Sequence, residues 1–135
     1  MDPTRALRLA GALLVLAGGA IHLKLNLDDY GSVDILTAFA LNAVASAVVA
    51  AYLVLRDDVV GPVAGLAVSI GSLGALVMSR RGDGFLGLRE VGWNPSPEAA
   101  LTVVVEVLAV LVLSLALILM LRRAPARAAT SSLRS

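Results

Sequence analysis

The chain has no cysteine and only one histidine and one lysine among its 135 residues. Without cysteine it forms no disulfide, offers no thiolate nucleophile and builds no thiolate-ligated metal site. The formal net charge of +1 excludes a broad basic field, so we expect no nucleic-acid partner. The sequence also lacks a nucleophile motif, a phosphate-binding loop and a cluster of metal ligands, and no cofactor is expected.

Hydrophobic residues are abundant, at 59% of the chain, whereas a soluble domain has roughly 45–50% apolar residues. They fall into four long blocks, each close to the ~20 residues that cross a bilayer as a helix. The blocks do not alternate apolar and polar residues, so we predict helices and not strands. The predicted spans cover residues of about 7–25, 33–55, 59–79 and 98–121.

Helix start signals precede the later blocks. Ser32 is placed to cap the second helix, and Asp57 or Asp58 the third. The fourth begins with Ser96-Pro97-Glu98, a capping hydroxyl followed by proline and an acid. The predicted fold is therefore all-α: an antiparallel four-helix transmembrane bundle in a single domain, residues 1–123.

Arginine and lysine positions predict the orientation of this bundle. An even number of spans puts both termini on one side, together with the link between the second and third spans. That side carries seven basic residues, Arg5, Arg8, Arg56, Arg122, Arg123, Arg127 and Arg134. The other side carries four, Lys24, Arg80, Arg81 and Arg89. The excess predicts cytoplasmic termini in a multi-pass protein of the plasma (inner) membrane.

The two ends of the chain allow further interpretations. The first block has a basic start and the small-residue run Ala17-Gly-Gly-Ala20, as a cleaved signal peptide does. Its apolar run continues through Leu23 to span length, so we favour a retained helix. The basic tail, residues 124–135, is predicted to be disordered and held near anionic headgroups.

Glu106 lies inside the most hydrophobic block. A carboxylate facing lipid there is costly, so we expect Glu106 to face the other helices. Counting 1.5 Å per residue from the helix ends puts His22, Asn42, Ser72 and Glu106 in the outer half of the bilayer. We predict a ligand-binding pocket from these residues. The competing interpretation is a polar clamp that only holds the helices together.

His22 and the long loop over residues 80–97 each allow a structural and a functional interpretation. As the only histidine, His22 is a poor metal or haem ligand without cysteine, so no metal is predicted and a hydrogen-bonded role is favoured. The loop mixes apolar residues with charges, and Trp93 fits a membrane interface. It is either a connector or a lid that brings Arg89 to the pocket as a further ligand-binding residue.

Two stretches carry a family resemblance: Leu7 to Leu23 with Tyr30 soon after, and Gly84-Phe-Leu-Gly-Leu-Arg-Glu90 followed by the Glu106 helix. Together they resemble small uncharacterised four-helix integral membrane proteins of high-GC Gram-positive (actinobacterial) type. The resemblance implies a four-span fold in the plasma membrane and implies no activity.

Three function classes follow from the sequence. The first is a ligand-, lipid- or ion-binding or accessory membrane protein, with the bilayer and a second copy or membrane protein as partners. The second is a subunit of a proton-coupled transporter, although neither inverted repeats nor broken spans are visible. The third is a membrane enzyme using Glu106 and His22 as acid and base, which is the weakest because no catalytic motif accompanies them.

Overall fold

The computed structural model describes residues 1–132, with side chains up to Arg123. It is all-helical, with helix over 76% of the chain and no β-strand in the described part. The four helices are α1 (Pro3–Leu27), α2 (Val33–Leu55), α3 (Val60–Met78) and α4 (Glu98–Ser132).

All four helices are long and apolar enough to cross a membrane, which confirms a multi-pass membrane protein. The most apolar 18-residue window has a mean hydropathy of 1.8 in α1, 2.1 in α2, 1.8 in α3 and 3.0 in α4. Helix α1 begins earlier than predicted because Pro3 suits a first helical position. Helix α4 continues beyond 121. The side chains of the predicted tail lie outside the described residues, so its disorder stays a prediction.

The helix starts use the polar residues that precede them. The Ser32 hydroxyl accepts a hydrogen bond from the backbone N–H of Ile35 at the start of α2. At the start of α3 the N-cap position is held by Val59 and not by either predicted aspartate, although Asp58 Oδ1 accepts the Val60 N–H at 3.0 Å. The other candidate, Asp57, pairs with Arg8 of α1 instead. These acceptors satisfy N–H groups that have no partner within the helix.

Helix α1 packs against both α2 and α4, and α3 packs against α4 and less extensively against α2. No backbone contact joins α2 and α4 in the described part of the chain, although side chains of both helices contribute to the core. The buried core consists of Val15, Leu53, Ala109 and Leu113 with neighbouring alanines. Leu113 occupies the space that a Cβ on Gly11 or Gly65 would need, so these glycines let α1 and α3 approach α4 closely.

Polar contacts join the helix ends in two groups. In one group Arg8 donates to Leu53 O at 3.0 Å and pairs with Asp57, and Arg123 pairs with Asp2 at 2.8 Å. In the other group Lys24 pairs with Glu98 at 2.7 Å, and the Asn26 amide donates to Leu36 O at 2.7 Å. These links join different helices or the residues that flank them, so the helices are tied together at both ends.

Candidate functional site

Glu106 faces the interior of the protein and is only 1% exposed. Helix α4 holds it against α1 and α3, where the hydroxyls of Ser69 and Ser72 face its carboxyl group. On the α1 side, a Cβ added to Gly18 would lie 2.6 Å from Glu106 Oε1. The absence of a side chain at Gly18 therefore makes the space in which the carboxyl group sits.

The Glu106 site holds polar atoms without hydrogen-bond partners. Glu106 Oε2 and Ser69 Oγ are both buried, and neither makes a hydrogen bond with any described residue. Within the described residues, neither facing hydroxyl makes a hydrogen bond to the carboxyl group. An unpaired buried polar group is costly, so the site has hydrogen-bonding capacity that the protein does not use for packing.

His22 is fixed in one tautomer by its neighbours. Its Nδ1 lies 2.8 Å from the carbonyl oxygen of Gly18. A carbonyl oxygen only accepts hydrogen bonds, so Nδ1 carries the proton and Nε2 of the neutral ring is an acceptor. The Ser72 hydroxyl lies 3.3 Å from Nε2 and donates to it. The Phe39 ring packs edge-on at 5.5 Å between centroids and holds the imidazole in place.

A cavity of about 380 Å³ opens between α2 and α3. Apolar residues of these two helices form most of its wall, and Phe85 and Leu88 of the long loop lie over one end. Six residues with polar side chains also line it: His22, Asn42, Ser72, Ser79, Glu90 and Thr102. An apolar cavity with a few converging polar groups is typical of small-molecule sites.

The residues predicted to form one pocket therefore lie in two places, some at the cavity and one buried away from it. His22, Asn42 and Ser72 line the cavity, whereas Glu106 does not and lies behind Ser72. Asn42 is half-buried, and its Oδ1 accepts from Ser46 at 3.3 Å. Its Cα lies more than 8 Å from the Cα of Glu106, because no backbone contact joins α2 and α4. Equal distances from the helix ends therefore did not make Asn42 and Glu106 neighbours.

Arg89 is not brought to the site. It is exposed and makes no hydrogen bond or ion pair within the described part of the chain. The adjacent Glu90 lies at the cavity instead, and its backbone N–H donates to Ser79 O at 2.9 Å. Neighbouring residues in an irregular loop point in different directions, so sequence alone did not separate Arg89 from Glu90.

Glu90 joins three parts of the chain. Its Oε2 accepts from Ser79 Oγ at 2.6 Å and from Arg80 at 2.8 Å. Its Oε1 accepts from the Tyr30 hydroxyl at 3.1 Å. Burial and the charge of Glu90 raise the pKa of Tyr30, so this hydroxyl stays a donor at neutral pH. We call Tyr30, Ser79, Arg80 and Glu90 the loop latch, since they attach residues 80–97 above the cavity.

No known protein family, curated protein or solved structure matches the chain. Within the described residues, no group of three or more histidine, aspartate and glutamate side chains is placed to hold a metal ion. The geometry therefore defines the class: a multi-pass membrane protein with an apolar cavity and a separate buried acid.

Proposed function

We propose that the protein binds a small amphipathic molecule in the cavity between α2 and α3, in the outer half of the bilayer. The observation that carries the proposal is the cavity itself, about 380 Å³ with three converging polar side chains, His22, Asn42 and Ser72. Its volume falls within the roughly 300–1,000 Å³ of small-molecule sites. A lipid-like ligand fits better than an ion, because most of the wall is apolar.

The side chains that line the cavity indicate the class of ligand. Ala38, Ala45, Ala67 and Val68 offer dispersion contacts and no hydrogen bonds, which suits a hydrocarbon chain. His22, Asn42 and Ser72 suit one hydrogen-bonding group on that chain. Helices α2 and α3 pack less extensively against each other than α1 does against α2 or α4. Entry from the surrounding lipid between α2 and α3 is therefore the route the packing favours.

An antiparallel bundle with cytoplasmic termini is part of this proposal. Contacts between the start of α1 and the end of α2, and between the end of α1 and the start of α2, support antiparallel pairing. The Arg123–Asp2 pair supports a shared side for the two termini. The arginine excess on that side then favours the cytoplasm.

A purely structural clamp is less well supported. A clamp gains its energy from interhelical hydrogen bonds. Glu106 Oε2 and Ser69 Oγ make none with the described residues.

Photo-crosslinking in membranes tests the ligand proposal, with a long-chain fatty acid and a long-chain alcohol as probes, each bearing a diazirine on its chain. Crosslinks are expected on the cavity-lining residues of α2 and α3. Gly71 lines the cavity and Gly74 does not, and a Cβ on either meets no atom within 4 Å. Gly71→Phe should reduce labelling about tenfold or more, equivalent to at least ~1.4 kcal/mol of binding free energy.

Gly74→Phe is the matched control, because it adds the same ring to the same helix outside the cavity. It should label as the wild type does. Equal labelling of the Gly71→Phe and Gly74→Phe proteins, with both folded, would remove the cavity as the binding site.

A further inference from the structure

The polar groups that line the cavity are not equally free to bind a ligand. Both ring nitrogens of His22 are occupied, because Nδ1 donates to Gly18 O at 2.8 Å and Nε2 accepts from the Ser72 hydroxyl at 3.3 Å. That second bond uses the one proton that the Ser72 hydroxyl carries. His22 and Ser72 therefore satisfy each other and offer a ligand no hydrogen-bond donor.

The charged groups at the mouth of the cavity are occupied as well. Oε1 of Glu90 accepts from Tyr30 at 3.1 Å, and Oε2 accepts from Ser79 at 2.6 Å. Arg80 donates to Glu90 through Nη1 and to backbone carbonyl oxygens through Nε and Nη2. Every nitrogen of this guanidinium is engaged by the protein, so Arg80 is not free to bind a negative charge on a ligand.

Asn42 differs from these groups because its amide nitrogen is unused. Its Oδ1 accepts from Ser46 Oγ at 3.3 Å, which directs the Nδ2 atom away from Ser46. Nδ2 makes no hydrogen bond with any described residue, and it remains accessible. Asn42 lines the cavity from α2 among mostly apolar side chains. An N–H group without a partner in apolar surroundings is costly, so a ligand that brings an acceptor to Asn42 is stabilised.

The charges around the cavity disfavour an anionic ligand. Within the described residues no lysine or arginine lines the cavity, and Glu90 at its mouth is itself an acid. A carboxylate or phosphate group would lose its hydration on entry without meeting an unpaired cation. Transfer of an isolated charge into apolar surroundings is costly, so the wall favours an uncharged molecule.

We propose that the cavity selects an uncharged lipid whose polar group is a hydrogen-bond acceptor, such as an ester or ketone carbonyl, and that Asn42 Nδ2 donates to this oxygen. The inference rests on the proposed function, since it names the class of molecule for the same cavity. A carbonyl group has lone pairs and no proton of its own. It satisfies the amide donor without needing an acceptor in return.

Photo-crosslinking with three matched probes tests this selection. The probes share one diazirine-bearing chain and end in a methyl ketone, in a plain methyl group or in a sulfonate, which stays ionised. Labelling of the cavity residues is divided by labelling of the exposed Val104 and Leu111 on α4, so that unequal partitioning into the membrane cancels. On the wild type, the ketone should label the cavity about fivefold more than the hydrocarbon, equivalent to about 1 kcal/mol. The sulfonate should label it least.

Asn42→Leu removes the amide at similar volume, so the preference for the ketone should disappear while the hydrocarbon still labels the cavity. Thr37→Val is the matched control, because it removes a polar group from α2 outside the cavity. It should leave the preference within about twofold of wild type. A ketone preference that survives Asn42→Leu overturns the inference.

The wild-type comparison needs no variant and remains decisive even if Asn42→Leu does not fold. Equal labelling of the wild-type cavity by the ketone and the hydrocarbon, or by the ketone and the sulfonate, overturns the selection and leaves the cavity as a binding site. The proposed function itself fails if none of the probes labels the cavity.

Discussion

Single residues set the geometry of the buried site, and Gly18 matters as much as Glu106. The interior position of Glu106 was predictable from the cost of a carboxyl group in lipid. The contribution of Gly18 was not, because its signal is an absent side chain in a helix that contains several glycines. Gly18 makes room for the carboxyl group, and its carbonyl oxygen accepts a hydrogen bond from the Nδ1–H of His22 at 2.8 Å.

Gly18→Ala should therefore destabilise the protein. The new methyl carbon would lie 2.6 Å from Oε1 of the buried Glu106, and such overpacking typically costs about 1–3 kcal/mol. Reversible unfolding in mixed micelles measures the change in the free energy of unfolding. The comparison variant is Gly74→Ala, which meets no atom within 4 Å and should gain up to about 1 kcal/mol from higher helix propensity.

Shortening the acid should relieve the clash. In the double variant Gly18→Ala/Glu106→Asp, the carboxyl group withdraws by one methylene, so the loss should be smaller than the sum of the two single losses. Strict additivity of the two substitutions would show that Gly18 and Glu106 do not share this space.

At the scale of elements, the helices were predictable and the loop was not. Residues 33–55 were predicted as one span and form α2, because an uninterrupted apolar run in a membrane has to satisfy its backbone as a helix. Residues 80–97 have no such constraint. Their path depends on hydrogen bonds from Arg80 to the carbonyl oxygens of Gly92 and Asn94, each at 2.9 Å, which leave no periodic signal in the sequence.

Glu90→Gln should loosen the loop over the cavity. The substitution removes the charge that Arg80, Ser79 and Tyr30 share, and each hydrogen bond to a charged group is worth roughly 1.5–3 kcal/mol. Since 1.4 kcal/mol corresponds to about tenfold, amide hydrogen exchange across residues 80–94 should accelerate about tenfold or more. Mass spectrometry of the reconstituted protein gives the exchange rates.

Arg89→Gln provides the control for the loop latch. Arg89 is exposed and has no hydrogen-bond partner in the described part of the chain, so its loss should leave the exchange rates within about twofold of wild type. Faster exchange in Arg89→Gln than in Glu90→Gln would show that Arg89, and not Glu90, holds the loop in place.

For the whole molecule, the arrangement of the helices decided which predicted residues meet. The rise per residue predicts that these polar residues lie at one level of the bundle, and His22, Ser72 and Glu106 do lie near one another. It did not give the order of the helices around the centre. Because no backbone contact joins α2 and α4 in the described residues, Asn42 and Glu106 lie in different environments.

Orientation in the membrane is the remaining property of the whole molecule, and the absence of cysteine makes it directly measurable. We expect Asp83→Cys, in the exposed loop after α3, to react with a membrane-impermeant maleimide on intact spheroplasts. Arg56→Cys, in the exposed link between α2 and α3, should react only after the membrane is permeabilised. The reason is that the Arg56 side shares the excess of basic residues, which favours retention in the cytoplasm.

The reverse labelling pattern would show that the protein is inserted the other way up. The cavity mouth beneath residues 85–90 would then face the cytoplasm. Labelling of both positions on intact spheroplasts would show a mixed orientation. The expected pattern instead opens the cavity toward the outer face of the membrane.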